Sequence, residues 1–372
     1  MLLLFPRAPL ESVLRVHSSG ATHPLEPYRR TMRITVLRAL SLAFALVLFS
    51  AACSKAQDLV VYCSLDQEFG EPLIRKFEKE TGLTVRVEFD IEANKNVGLA
   101  TRIREEAVNR PRCDVFWSNE FAQEVAFAQD GLLASYASPS AADIPAEYKD
   151  PEHRWTGFAA RARVLIVNTK LVDPKEIRSM WDLFDDRWKG KAAMAKPLAG
   201  NTLTHMASLP FAIGEAEARR YFETAAKRAL SGDLNLANGN AHVMRLVREG
   251  EAAFGWTDSD DYNVAREAGF PVAAVYPDAD TCGTLLVPNT VCLLAKAPHP
   301  ENGKRFIDWI LRPEIEQELA HSRSAQIPVR ASVPRPAHVV DTRGFKSMKV
   351  DYKAVGETIT KRTAELQELF LK

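Results

Sequence analysis

Cysteine is scarce in this sequence and neither charge is in surplus. Five cysteines are scattered through 372 residues, and their spacing fits neither a zinc site nor a redox motif, so isolated buried thiols are expected. Lysine plus arginine equals aspartate plus glutamate, 48 against 48, for a formal charge of zero. That balance argues against a general affinity for nucleic acid or acidic membranes. The apolar run Ala39 to Phe49, broken by Ser41, falls short of the ~20 residues that span a bilayer. No repeat or low-complexity tract stands out. Neither a Gly-x-Ser-x-Gly elbow nor a His-Glu-x-x-His helix occurs, so no hydrolytic nucleophile or zinc helix is marked. An exported hydrolase using Asp258 and His205 as acid and base is the rival reading. The rest is ordinary for a globular protein, 46% apolar and 26% charged, and long enough for two lobes.

The N-terminus has the three parts of a secretory signal: a basic start at Met32-Arg33 with Arg38, the apolar run, and small residues Ser50-Ala51-Ala52 before Cys53. Residues 1–31 read as an over-extended start. A cysteine directly after small residues resembles the lipobox of bacterial lipoproteins, although Ser50 stands where leucine is usual. Cys53 is then the acylated first residue of a mature chain held at the periplasmic or cell-surface face of a membrane by its lipid alone. In that oxidising compartment Cys63, Cys113, Cys282 and Cys292 could pair, and Cys282 and Cys292 flank what reads as strand, loop, strand.

From Leu59 onward, apolar runs alternate with helical periodicities. Leu59–Ser64, Leu83–Val87 and Asp114–Trp117 read as strands, while Pro72–Thr81 and Leu99–Val108 read as helices. This βαβαβ order requires a parallel sheet. Val164–Val167 is a further strand that can run between lobes. Arg161 and Arg163 precede it on one face, to pair with acidic groups or hold an anion. Ala192–Ala195 is a short strand, and helices follow over Glu215–Leu230 and Val243–Glu249. Phe270–Pro277 reads as a strand that could return to the first lobe, and Gly283–Val291 as two strands around a turn. Beyond Thr342 at least one more helix is expected, packed on the second lobe.

Three kinds of strand end carry candidate ligands, since open α/β sheets bind at the carboxyl ends of their strands. Ser64 and Asp66 end the first strand, and Asn119 and Glu120 follow the third. Gly200, Asn201, Thr202, Thr204 and His205 open a helix after a Pro/Gly turn, a start rich in N–H and hydroxyl donors and suited to an anion. Asp258, Ser259, Asp260 and Asp261 sit between a strand and a helix and suit a cation. Helix capping is the competing explanation for each group, and His205 can equally be a packed core residue.

The order of elements, together with Phe77-Glu78-Lys79-Glu80-Thr81-Gly82, Arg161-Ala162-Arg163-Val164, Ala297 to Ile310 and Ile327-Pro328-Val329-Arg330, resembles the periplasmic solute-binding proteins of ABC importers. The branch is that of ferric-iron-binding proteins and their thiamine, polyamine and phosphonate relatives. The resemblance implies a two-lobed α/β fold of the second periplasmic-binding type. Each lobe is then a mixed, mainly parallel sheet flanked by helices, with a ligand cleft between the lobes. It divides the chain into 1–31 as an extension, 32–52 as the signal, 53–57 as a linker, 58–160 with 276–332 as lobe 1, and 161–275 with 333–372 as lobe 2. It also implies a monomer that is not an enzyme and that serves a permease and its ATPase.

The cargo implied is ferric iron with a synergistic anion. Yet the adjacent tyrosines that hold iron in such proteins are replaced by Ser259-Asp260, with Tyr262 nearby. Asp66 stands near the family's first-loop histidine, and Asn119 or Glu120 near its glutamate. Candidate metal ligands are therefore Asp66, Glu120, Asp258, Asp260 and Tyr262. The alternative cargo is an organic zwitterion or phosphorylated solute such as an aminophosphonate.

Overall fold

Strand β1, Leu59–Cys63, is wholly buried, as a central parallel strand with both faces covered must be. The computed structural model describes residues 57–90 and 97–371. The expected extension, signal and acylated Cys53 lie outside them. Helix α1, Gln67–Thr81, begins before Pro72, which sits within its early turns, and ends at Gly82 with φ +73°. That conformation suits glycine and closes the helix. Strand β2 (Val85–Phe89), helix α2 (Gly98–Asn109), strand β3 (Val115–Ser118), helix α3 (Ala122–Gln129) and strand β4 (Leu133–Ala134) follow.

Strand β5 is longer than its apolar centre suggests. It covers all of Trp155–Asn168, every residue buried. Beyond it lie β6 (Ala192–Ala195), α4 (Gly200–Ile213), α5 (Glu215–Leu230), β7 (Leu234–Ala237), α6 (Asn240–Arg248), β8 (Phe254–Asp258), α7 (Ser259–Glu267) and β9 (Val272–Val275). Strand β10 (Leu286–Leu294) and helices α8 (Pro300–Ile310), α9 (Pro313–His321), α10 (Tyr352–Glu357) and α11 (Ile359–Phe370) complete the chain.

The strands run in the order β2-β1-β3-β10-β5-β8-β6-β7, with β4 on β10 and β9 on β5. The β2, β1 and β3 strands are parallel, as are β7, β6 and β8. The first stretch of β5, Trp155 to Ala162, pairs antiparallel with β10. Its last stretch, Arg163 to Asn168, pairs antiparallel with β8 and β9. One strand therefore serves two half-sheets, and the molecule has two α/β lobes with β5 as a shared spine.

Three expectations need correction. The segment around Pro288 and Asn289 is one strand and not two, because those residues form a bulge within β10 rather than a turn. Proline is tolerated at such a bulge, where a ladder bond is already missing. Cys282 thus lies in a turn before β10 and Cys292 within that strand, and all four described cysteines are free thiols. Strand β9 does not return to the first lobe, since it pairs with Leu165–Asn168 in the second half. The C-terminal helices do not rest on one lobe only. The α10 helix contacts α3 of the first half and α4 of the second, and α11 contacts α3, α4 and α5.

Candidate functional site

Three helices begin where strands of the second half end: α4 after β6, α6 after β7, and α7 after β8. Parallel strands put these starts side by side on one sheet edge. They surround a cavity of about 330 Å³ whose opposite wall comes from the first half through Asp66, Val97 and Asn119. The second half supplies Lys196, Gly200, Asn201, Thr202, Asn240, Asp258, Asp260 and Asp261, among others. The volume is that of a small-solute site.

The helix starts after β6 and β7 lack a cap from their own N-cap residues. Ala199 and Gly239 hold the N-cap positions of α4 and α6, and neither start has a side-chain cap. A cap oxygen would normally satisfy one of the first N–H groups. Alanine and glycine supply none, so these dipole ends favour an anion in the cavity.

The third start is acidic. Asp258 occupies the N-cap of α7 but makes no capping bond. Its Oδ1 accepts from Arg163 Nη1 at 2.6 Å, and its Oδ2 accepts from Asn201 Nδ2 and Asn240 Nδ2, both at 2.8 Å. That single carboxylate ties the starts of α4 and α6 together. Asp260 Oδ2 accepts from Arg161 Nε at 2.7 Å, and Asp261 Oδ2 accepts from Thr257 Oγ1 at 2.6 Å. Oxygens of Asp258, Asp260 and Asp261 lie within 4.8 Å of one another, close enough to share a metal ion.

Of the residues singled out from sequence, Asp66, Asn119, Gly200, Asn201, Thr202, Asp258, Asp260 and Asp261 line the cavity, whereas Ser64, Glu120, Arg161, Thr204, His205, Ser259 and Tyr262 do not. Ser64 donates to Asp90 at 2.8 Å, and Ser259 Oγ accepts from the Ala162 amide at 3.1 Å. Glu120 is buried, accepts from the Ala122 and Gln123 amides at 2.5 and 3.1 Å, and takes a hydrogen bond from Thr204 Oγ1 at 2.9 Å. His205 packs edge-on against Trp256 with ring centroids 4.1 Å apart, and neither ring nitrogen has a partner among the described residues. Burial, reinforced by the Arg163 charge, holds its pKa well below the usual imidazole range, so the ring is neutral. Tyr262 is half-buried against the core.

Sequence reasoning missed the lining residues Val97, Lys196 and Asn238–Ala241. The last had a readable signal. Asn238-Gly239-Asn240 directly follows Leu234–Ala237, which alternates apolar residues with Asn235, the same strand-to-helix punctuation that marked Gly200-Asn201.

Two α/β halves on one spine, closing around a polar cavity at the strand ends, define a solute-binding protein. Residues 72–346 match the profile described as bacterial extracellular solute-binding protein, and the chain belongs to that family. It is a family of solute binders, whose members work with ABC permeases and ATPases. The chain is 26% identical over 328 residues to iron uptake protein A1 of Synechocystis, covering 84% of this chain and 87% of that one. It is also 26% identical over 314 residues to a periplasmic protein of Salmonella typhimurium whose name assigns it to 2-aminoethylphosphonate, covering 81% and 87%. Its fold matches iron-bound HitA of Pseudomonas aeruginosa with a TM-score of 0.73 at 23% identity, over 83% of this chain and 98% of that one.

Proposed function

We propose that this chain is the solute-binding component of an ABC importer and that its cargo is a compact zwitterion bearing a phosphonate or phosphate group. The observation that carries this reading is the meeting, in one cavity, of two helix starts without a side-chain cap and a set of carboxylates, Asp258, Asp260 and Asp261 beside them and Asp66 on the facing wall. The anionic group seats on the starts of α4 and α6 near Lys196, and the cationic group faces Asp66, Asp260 and Asp261. Closure of the lobes removes both from water, which strengthens each contact. The closed form then docks on a permease driven by its ATPase, and acylated Cys53 keeps the monomer at the membrane.

A second reading has one observation in its favour. The cluster of Asp258, Asp260 and Asp261 could hold ferric iron together with a synergistic anion on the helix starts. Hard cations take oxygen ligands. Against it, both oxygens of Asp258 already accept hydrogen bonds, and among the described residues no phenolate lines the cavity.

Native mass spectrometry of the purified chain separates the two readings. An organic mass released on unfolding supports the zwitterion, and retained iron supports the metal. Titration with 2-aminoethylphosphonate at about 100 times its dissociation constant should add ~2.7 kcal/mol of stability. No shift with it or with other amino- or sugar-phosphate solutes would overturn the first reading.

A further inference from the structure

The cargo cavity takes its first-half wall from the carboxyl ends of the parallel strands, Asp66 after β1 and Asn119 after β3. A second groove, of about 570 Å³, begins at the amino ends of the same strands. Gln57, just before β1, and Arg112, just before β3, both line it, together with Arg110 and Pro298. It runs along the half-sheet past Arg86 of β2, the edge strand, as far as Tyr62 and Glu88.

Arginine dominates this groove, and two of its three arginines are free to bind something else. Arg110 and Arg112 are exposed, and neither guanidinium enters an ion pair among the described residues. Arg86 is half exposed and shares Glu88 with Arg102. Beside them Val108, in the last turn of α2, is 82% exposed. A large apolar side chain among unpaired arginines has little to gain from water. Both find partners at a lipid surface, where guanidinium forks grip phosphate oxygens and an apolar group enters the interface.

The length of chain ahead of the groove points the same way. Gln57 is the first described residue, and four positions separate it from Cys53. Four extended residues reach at most about 14 Å. A lipid on Cys53 therefore brings the amino ends of β1 and β3 close to the membrane, whatever path those residues take.

We propose that the groove of Arg86, Arg110 and Arg112, with Val108, is the face that lies on anionic phospholipid headgroups, a reading that rests on the acylated Cys53 of the function proposed above. The chain's balanced charge supplies no long-range pull toward such a surface. The contact forms because the tether holds these few arginines at high local concentration beside the phosphates. With the amino ends of the strands against lipid, Asp66 and Asn119 at the other ends look away from it, so the cleft is presented to the compartment from which solute arrives.

The test uses the mature acylated chain on vesicles of phosphatidylcholine alone or with phosphatidylglycerol. Phenylglyoxal labels accessible arginines, and mass spectrometry of the peptides gives the rate at each. On the anionic vesicles Arg110 and Arg112 should react about fivefold more slowly or less, the worth of one arginine at a charged surface. The protection should vanish in about 1 M salt. Arg219 and Arg220 of α5, 68% and 64% exposed, should react alike on both vesicles. Arg110→Gln combined with Arg112→Gln should abolish the protection of Arg86. Equal rates for Arg110 and Arg112 on the two vesicles overturn the proposal, as does protection shared equally by Arg219 and Arg220. The mass of the N-terminal peptide reads the anchor separately. A bare Cys53 defeats the anchor reading alone, and the same labelling on the chain coupled through that thiol to a maleimide lipid then decides the face.

Discussion

His205 and Glu124 carry buried ionisable groups that do no visible binding work, and each links stability to pH in its own direction. His205 is neutral in the fold because burial, then the Arg163 charge, depress its pKa. The unfolded chain therefore binds more protons below the ordinary imidazole value of about 6.5, and stability falls as pH drops below it. His205→Phe should remove that loss. The melting temperature of the variant should gain on wild type between about pH 7.5 and 5, with solute affinity retained. Glu124 shows the opposite sign. It is wholly buried, and burial with the nearby Glu120 charge raises its pKa well above the usual range. The folded state keeps a proton that the unfolded state releases, so stability falls as pH rises above the ordinary carboxylate value of 4.5. Glu124→Gln should flatten that decline, and melts at about pH 5 and 8 will show it as a gain confined to the higher pH.

At the scale of elements, the helix starts form a site only because α6 lies tight against β8. Gly255 permits this approach. A Cβ added there would meet Val243 Cγ1 at 2.5 Å and the Ala193 carbonyl oxygen at 2.9 Å. Gly255→Ala should push α6 outward and cost about 1–3 kcal/mol. Because Asn240 begins α6 and donates to Asp258, the same change should weaken solute binding. Chemical denaturation and a binding titration on one preparation check both halves of that expectation. Asn240→Ala should leave the core intact and lower affinity about fivefold, the worth of one hydrogen bond of ~1 kcal/mol.

Across the whole molecule, several contacts span the two halves. Thr204 on α4 donates to Glu120 beyond β3, and Arg161 reaches Asn119 from the spine. Tyr352 of α10 packs on Phe121 with ring centroids 4.5 Å apart and donates to the Leu286 carbonyl at 3.0 Å. Farther on, Arg362 of α11 pairs with Glu215 at the start of α5. The C-terminal helices thus strap the halves together at the side of the sheet. Thr204→Val removes one cross-half hydrogen bond, so the closed form should lose about 1 kcal/mol and the solute should dissociate several-fold faster. Stopped-flow displacement measures this directly, and an unchanged dissociation rate would show that the bond plays no part in closure.

The local alphabet of this protein is written in its residues: the buried parallel strands around Val61 and Phe116, the helices with their glycine stops, and the strand ends where Asp66, Asn201 and Asp258 stand. Those features follow from periodicity and from what glycine and apolar runs allow, and both act within a few residues. Family membership was legible as well, through the order of elements. Long-range packing makes β10 one bulged strand and keeps β9 in the second half, because strand partners are chosen by distant chain. It alone sets the C-terminal helices across both halves. The roles inside the site were decided at the same level. Asp258 reads from sequence as a cap, yet its carboxylate points to Arg163, Asn201 and Asn240, residues 95, 57 and 18 positions away. A short-range signal cannot report where a side chain finds its partner once the chain has folded back on itself.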